Sequence, residues 1–263
     1  MSFSVVPGAA ESPVILHVPH GSRALTPDSR SRILLDDDAL SAELDLMTDA
    51  HTGLIASRAA EASPVTPWIF RNELSRLVVD PERFPDSREE MRSVGMGAVY
   101  LRTSHGAILR DDDPVHIEEL LTRHYHPYAT AMAGLVDARL AAVGRVVILD
   151  VHSYPSKPLP YELHGSGNRP PVCLGVDSFH TPSWLVSAAS SVFGEVDVNT
   201  PFGGAYVPLK HYRQVAEVAA LMLEIRRDRY MVEPGGPVLG GVEVLVDALT
   251  ELIGSHPGAR IGA

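Results

Sequence analysis

The sequence contains a single cysteine and no long apolar run. Cys173 is the only cysteine in 263 residues, which excludes an intramolecular disulfide and fits a reducing compartment, so we expect a cytoplasmic protein. No run approaches the roughly 18 apolar residues that a membrane-spanning helix needs. The first residues also lack the basic stretch and the following apolar stretch of a secretory signal. We therefore expect no membrane partner.

Positive charge is scarce and scattered. The chain has 22 lysines and arginines against 33 aspartates and glutamates, a formal net charge of −11. Nucleic-acid binding needs a concentrated basic face, so we expect no nucleic-acid partner. No repeat and no shift in composition marks a boundary, and single α/β domains often reach about 250 residues, so we expect residues 1–263 to form one domain. The sequence is compatible with a monomer or a small homo-oligomer.

Hydrophobic residues make up 45% of the chain and occur in two patterns. Helical spacing of apolar residues covers 36–61, 113–143, 181–193 and 241–253. Short apolar runs, which indicate strands, occupy 14–18, 65–70, 74–79, 146–151, 171–176 and 218–225. This alternation predicts an α/β fold with a central, mixed and mostly parallel sheet flanked by helices. A long stretch rich in proline, glycine and charge, 81–112, is expected to be a functional loop.

Two of the apolar runs deliver a histidine where the run ends. His20 follows the first run and His152 ends the run that begins at Val146. Ligands of open α/β sheets bind beyond the carboxyl ends of the strands, so these histidines are expected to meet in one crevice. Imidazole at such a point is a natural metal ligand or proton shuttle. His17 stands three positions before His20, and we expect it in the core.

Two carboxylates complete the candidate constellation. Glu224 interrupts an apolar run. Burial of a charged carboxylate among apolar residues destabilises the fold by roughly several kcal/mol unless the group is paired, coordinated or protonated. Asp49, in the predicted helix after the first strand, could supply a metal ligand, with His51 as a competitor. Two histidines, one carboxylate and an open position for water form a usual catalytic zinc site, and a second carboxylate can act as general base.

Six short segments carry a family resemblance. They are HVPHGS at 17–22, TD at 48–49, NELSRLVVDPERF at 72–84, DVHS at 150–153, NTPFGG at 199–204 and EIRRDRYM at 224–231. In this order, over about residues 12 to 232, the chain resembles the N-formylglutamate amidohydrolase (N-formylglutamate deformylase) family. The resemblance implies a phosphorylase/hydrolase-like α/β fold, similar to that of the zinc carboxypeptidases and aspartoacylases.

The resemblance also assigns roles within the constellation. His20 and His152 match the histidine ligands of one zinc ion, or of another divalent metal, and Glu224 matches the general base. The relatives carry a glutamate ligand three residues after the first histidine, where this chain has Arg23. The third ligand must therefore come from elsewhere, and we expect Asp49. The alternatives that stay open are Glu43, Asp45 and His51.

Arginines in the family-like segments suit an acidic substrate, because a guanidinium binds a carboxylate through two hydrogen bonds. Arg76 and Arg83 flank Asp80 and are the leading candidates, and Arg76 is placed with Glu224 among the catalytic residues. The further candidates for substrate binding are Arg71, Arg102, Asn72, Gly203 and Gly204.

These residues lead to one predicted reaction and its alternatives. The prediction is metal-dependent hydrolysis of the amide C–N bond of an N-acyl amino acid, with N-formyl-L-glutamate giving glutamate and formate. The alternatives are another N-acyl amino acid, a small peptide or a cyclic amide as the substrate. A non-catalytic small-molecule-binding protein is the alternative from outside the enzymes.

Overall fold

Seven strands form one sheet in the computed structural model, which describes residues 2–163, 165 and 167–256. They are β1 (Phe3–Val6), β2 (Val14–Val18), β3 (Trp68–Asn72), β4 (Val146–Tyr154), β5 (Val172–Gly175), β6 (Val196–Val198) and β7 (Val218–Arg226). The order across the sheet is β1-β3-β2-β4-β7-β5-β6. The pairs β1/β3 and β5/β7 are antiparallel and the other neighbours are parallel, which confirms the mixed, mostly parallel sheet.

Seven α-helices accompany the sheet within the described residues. They are α1 (Pro27–Arg32), α2 (Asp37–Met47), α3 (Thr52–Ala62), α4 (Pro114–Leu120), α5 (His126–Val143), α6 (Ser183–Phe193) and α7 (Gly241–Ile253). A π-helical turn, Leu121–Tyr125, joins α4 to α5. None of the helices described is long and apolar enough to span a bilayer.

Side-chain alternation along the strands divides the core into two layers. Leu16 of β2 and Leu149 of β4 face α3, α6 and α7, whereas Ile15 and Ile148 face α5. The two layers bury the central strands on both faces, and for this reason the sequences of these strands are continuous apolar runs. The side chains of Asp150 and His152 follow Ile148 at steps of two, so they point to the α5 side at the carboxyl end of β4.

The predicted helix over 36–61 is wrong in one respect, since it is two helices. α2 ends at Met47 and α3 begins at Thr52, and His51 between them has a left-handed backbone with φ 67°. The Asp49 amide in this break donates to the His20 carbonyl over 3.0 Å. The interruption therefore places Asp49 beside the end of β2, a tertiary contact that helical periodicity does not reveal.

Residues 74–79 form turns and not the predicted strand. Leu77 packs with Met47 and Tyr100, while Val78 and Val79 pack with Tyr125 in a separate cluster. The apolar run at 74–79 resembles a strand in sequence because its residues pack into two different hydrophobic clusters from a segment of turns. The two edge strands, β1 and β6, were not predicted. The single domain predicted for residues 1–263 stays a prediction, and residues 1, 164, 166 and 257–263 lie outside the described part.

Candidate active site

The two histidines at the strand ends come together as the sequence predicted. β2 and β4 pair in parallel, with His17 opposite Asp150, so His20 and His152 follow at the same edge of the sheet. The Nδ1 atoms of His20 and His152 lie 3.2 Å apart, and both side chains are buried. Two buried nitrogen atoms so close together require a proton or a cation between them.

Asp49 completes this group. Its Oδ2 atom lies 3.2 Å from His152 Nδ1 and 3.6 Å from His20 Nδ1. Its Oδ1 atom accepts a hydrogen bond of 3.0 Å from Arg227, which follows β7. One ligand atom from each of His20, Asp49 and His152 lies within 4.8 Å of the others, the closeness that a single ion requires. We call these three residues the His-Asp-His cluster.

The other candidates for the third ligand are held away from this cluster. Each has its own partner: Glu43 binds Ser104, Asp45 binds Arg23, and His51 binds the Gly236 carbonyl. The buried Glu43 carboxylate accepts hydrogen bonds from the backbone amide and the hydroxyl of Ser104, at 2.7 and 2.8 Å. Among the four residues considered, the structure thus brings only Asp49 to the two histidines.

The far sides of the two imidazoles face separate carboxylates. His20 Nε2 lies 3.0 Å from Asp80 Oδ1, and His152 Nε2 lies 2.9 Å from Asp150 Oδ1. The His20 contact is a hydrogen bond, whereas the His152 contact is an ion pair without hydrogen-bond geometry. A negative charge beside Nε2 favours a proton on that nitrogen, so Nδ1 is the nitrogen available to a metal. This donor set, with two Nδ1 atoms and one carboxylate, fits a divalent cation such as zinc.

Charges around the cluster shift the titration of its members. Burial alone would lower the pKa of His152, but Asp150 and Glu82 outweigh burial and hold that pKa well above its usual value. Burial would raise the pKa of Asp49, whereas its hydrogen bonds with His152 and His20 hold it well below the usual range. The centre is therefore a compact set of opposite charges, to which a cation can bind by displacing protons.

Arg76 supports His20 through Asp80. Arg76 donates from Nη2 and Nε to Asp80 Oδ2, at 2.7 and 3.2 Å, and the Tyr100 hydroxyl donates to the same oxygen at 2.5 Å. Burial would raise the pKa of Asp80, but Arg76 and His20 hold it well below the usual range. Arg76, Asp80 and Tyr100 are thus one anchored group behind His20.

Sequence reasoning missed Glu82 at the site. Its Oε2 atom lies 3.2 Å from His152 Nε2 and 3.6 Å from His20 Nε2. Its Oε1 atom lies 3.5 Å from His17 Nδ1 and has no hydrogen-bond partner among the described residues. Glu82 belongs to the family-like segment at 72–84, which was the available signal, but nothing local distinguishes it from a solvated glutamate.

Glu224 lies next to the cluster on β7. It is the register partner of His152 in the parallel pair β4/β7, so both side chains point to the same face. The carboxylate is buried, and its Oε2 atom has no hydrogen-bond partner among the described residues. Burial raises the pKa of Glu224 to about 7. An unpaired carboxylate that titrates near neutrality can exchange a proton with a ligand in this cavity.

A cavity of about 450 Å³ contains the cluster and Glu224. The predicted functional loop forms one wall with Glu82, Arg83 and Phe84, and Gly203 and Gly204 form part of another. Arg83 is the less restrained arginine there, because its closest carboxylate oxygens, on Glu89 and Asp80, lie 3.5 and 3.7 Å away. The cavity thus combines candidate metal ligands, a carboxylate near neutrality and a guanidinium without a tight partner.

Three predicted substrate-binding residues lie outside this cavity lining. Arg71 donates to the Gly53 carbonyl and to Ser57, and Arg102 is exposed, opposite Ile108. Asn72 is buried, and its side-chain amide donates to the Pro19 carbonyl over 3.0 Å, which fixes the turn that leads to His20. The structure does not bring these three side chains to the His-Asp-His cluster.

The model of the N-formylglutamate amidohydrolase family matches residues 12–231. The structure is similar to the crystal structure of an N-formylglutamate amidohydrolase from Ralstonia eutropha JMP134, with a TM-score of 0.78, 20% identity and 95% of each chain covered. A gene product of Agrobacterium tumefaciens gives a TM-score of 0.68 and 22% identity, with 96% of this chain and 93% of that chain covered. Curated protein sequences give no significant match. Because the family model spans most of the chain, this protein belongs to the N-formylglutamate amidohydrolase family.

Proposed function

We propose that this protein hydrolyses the amide bond of an N-formyl amino acid with the help of one divalent cation, preferably zinc. N-Formyl-L-glutamate and water would give glutamate and formate. The observation that carries the proposal is the convergence of His20, Asp49 and His152 in one cavity with Glu224. Family membership supports a small amide as the substrate, and the structural relative from Ralstonia eutropha is itself named an N-formylglutamate amidohydrolase.

His20, Asp49 and His152 would hold the ion. Two imidazole nitrogens and one carboxylate oxygen form a ligand set of the kind that catalytic zinc sites use. When bound there, a divalent cation would lower the pKa of a water molecule and polarise the substrate carbonyl. Arg227 donates to Asp49, Asp80 is hydrogen-bonded to His20, and Asp150 forms an ion pair with His152, so the protein itself orients the ligand atoms.

Glu224 is the proposed proton carrier. Its carboxylate would take the proton of the attacking water and later deliver a proton to the nitrogen of the departing amine. A general base and acid works best when its pKa lies near the working pH, and burial raises the pKa of Glu224 to about 7. Its Oε2 atom has no protein partner in the described structure to compete for that proton.

Arg83 is the proposed partner for a substrate carboxylate. Its guanidinium lines the cavity and has only long contacts to Glu89 and Asp80. Arg76 is occupied by Asp80 and Tyr100, so we assign it to supporting His20 and to keeping a positive charge beside the developing oxyanion. Gly203 and Gly204 would let the backbone approach the ligand closely, because neither carries a side chain.

The test is the release of formate from N-formyl-L-glutamate by the purified protein. N-Acetyl-L-glutamate, a small peptide and a cyclic amide serve as competing substrates. We expect turnover of the formyl compound, loss of turnover after treatment with dipicolinate, and recovery when one equivalent of zinc is added. Turnover that survives complete metal removal would contradict the proposed mechanism. Tight binding without turnover of any of the four compounds would favour the non-catalytic alternative.

A further inference from the structure

A second histidine, which the proposed reaction does not use, lies behind His152. His17 on β2 is completely buried and is the register partner of Asp150 on β4. Its Nδ1 atom lies 2.8 Å from Asp150 Oδ1, and the same oxygen lies 2.9 Å from His152 Nε2. One carboxylate oxygen therefore contacts both imidazoles.

Tyr128 on α5 determines which nitrogen of His17 carries the proton. The Tyr128 hydroxyl is hydrogen-bonded to His17 Nε2, and burial raises the pKa of this phenol well above its usual value, so the hydroxyl keeps its proton and donates it. Neutral His17 must then accept at Nε2 and donate from Nδ1 to Asp150. The Asp150 carboxylate, whose Oδ1 atom lies 2.9 Å from His152 Nε2, favours a proton on that nitrogen. His152 Nδ1, which faces Asp49 and His20, is then the nitrogen that a cation would use after displacing the proton there.

We propose that His17 is a positioning residue, which acts through Asp150 to fix the tautomer and the orientation of His152. It thereby strengthens the binding of a divalent cation at the His-Asp-His cluster. The proposal rests on the proposed function, because it requires that His152 is a metal ligand. The His17 ring is itself held in place, since it stacks on Tyr206 with the ring centroids 4.6 Å apart.

The two histidines of the cluster are supported differently. Behind His20, Asp80 is anchored by Arg76 and Tyr100. Behind His152, Asp150 has no arginine partner among the described residues, and its Oδ2 atom has no hydrogen-bond partner there. His17 supplies the donor that Arg76 and Tyr100 supply on the other side. Removal of His17 should therefore release Asp150 from its position against His152.

A second ion at His17, Glu82 and Asp150 is the competing explanation for these contacts. One ligand atom of each lies within 4.8 Å of the others. The His17 nitrogen that faces Glu82 and Asp150 is Nδ1, however, and it carries the proton of neutral His17 because Nε2 accepts from Tyr128. A ligand nitrogen needs a free lone pair that points at the metal, so the contacts favour the positioning role.

Zinc titration of the metal-free protein against a chromophoric chelator tests the role. His17→Phe keeps a planar ring but removes the donor to Asp150, and we expect the Kd for zinc to rise by about 10-fold or more, within the range for lost outer partners of a metal ligand. His17→Asn keeps an N–H group near the position of Nδ1 and should restore most of the affinity. Tyr128→Phe should raise the Kd by a smaller factor.

His180 provides a matched control. It is buried, and its ring nitrogens bond the Val218 carbonyl and the Arg213 amide, each at 2.7 Å. His180→Phe should therefore lower the melting temperature but leave the Kd for zinc unchanged, which separates positioning from a general loss of stability.

Three results would overturn the proposal. The first is an unchanged Kd in folded His17→Phe, or in Tyr128→Phe if His17→Phe does not fold. The second is a wild-type stoichiometry of two zinc ions that falls to one in these variants. The third is a wild-type protein that binds no zinc, which would refute the proposed function as well. If wild-type protein binds one ion and the Kd of folded His17→Phe is unchanged, His17 is not a positioning residue and the proposed function is unaffected.

Discussion

The Nδ1 atoms of His20 and His152 lie 3.2 Å apart although 132 positions separate the two residues in the chain. The parallel pairing of β2 with β4 brings them together, and Asp49 reaches them from the break between α2 and α3. Each imidazole presents Nδ1 to the other and Nε2 to a buried carboxylate. This arrangement leads to predictions about metal binding, proton transfer, stability and substrate selection.

Asp49→Asn should abolish tight metal binding. The variant keeps the shape of the side chain but removes the negative charge that faces both histidines, so affinity for zinc should fall beyond the roughly 100-fold range of outer partners. Chelator competition measures the Kd. Asp45→Asn is the matched control, because Asp45 binds Arg23 and lies outside the cluster. Equal effects of the two substitutions would show that Asp49 is not a ligand.

Glu224→Gln should keep the metal and lose most of the turnover. Glutamine fills the same space but cannot accept and return a proton, so kcat for N-formyl-L-glutamate should fall by about 10²- to 10⁴-fold. Zinc content by elemental analysis accompanies the kinetics. Loss of zinc in this variant would instead identify Glu224 as a ligand and would place Asp49 in doubt.

The same residue should make the metal-free protein less stable as the pH rises. Burial raises the pKa of Glu224 from 4.5 to about 7, so the folded state holds a proton that the unfolded state has already released. The stabilising contribution of the protonated form is complete below about pH 4.5 and is lost as the pH rises to about 7. Above that pH, Glu224→Gln should be more stable than wild type by about 3 kcal/mol, the free energy that corresponds to this shift in pKa.

Urea unfolding at pH 5 and pH 8 after metal removal measures this difference. Glu243→Gln is a control of opposite sign, because a hydrogen bond with Arg58 lowers the pKa of Glu243. Glu224→Gln should gain stability relative to wild type between the two pH values, and Glu243→Gln should not. A constant difference between Glu224→Gln and wild type would show that Glu224 does not titrate in this interval.

Arg83→Gln should weaken substrate binding more than it slows the reaction. Loss of the guanidinium should raise KM for N-formyl-L-glutamate by about 10-fold or more, with a smaller change in kcat, since hydrogen bonds to charged groups contribute roughly 1.5–3 kcal/mol. N-Formyl-L-glutamine distinguishes the two substrate carboxylates, because it keeps the α-carboxylate and lacks the one on the side chain. If Arg83→Gln raises KM for both substrates, Arg83 binds the α-carboxylate. If it raises KM for the glutamate compound alone, Arg83 binds the side-chain carboxylate.

Arg102→Gln is the control for this experiment, because Arg102 is exposed and outside the cavity lining. Its KM values should match those of wild type. If Arg83→Gln also leaves both KM values unchanged, Arg83 does not bind a substrate carboxylate.

The central strands were predictable because a strand that is buried on both faces has a continuous apolar sequence. Short runs rich in β-branched residues such as Val146–Leu149 favour interior strands, and the rule that ligands bind at strand ends then led to His20 and His152. The break at Asp49 was not predictable from periodicity, because a tertiary contact with His20 interrupts an otherwise regular apolar pattern.

The supporting residues of the site were harder to predict for a related reason. Arg76 was expected at the substrate, but it donates to Asp80, and Asp80 in turn contacts His20. Glu82 and Arg227 are ordinary charged residues in the sequence, and only the fold makes them neighbours of the cluster. Residues that act on other side chains leave no local pattern, since their partners lie far away along the chain.

Anomalous scattering at the zinc edge, from crystals of protein purified without chelator and supplied with zinc, tests the central claim most directly. We predict one ion within bonding distance of His20 Nδ1, His152 Nδ1 and a carboxylate oxygen of Asp49, about 2.0–2.2 Å from each. An ion bound elsewhere, or no ion while His20 and His152 keep their close contact, would contradict the account.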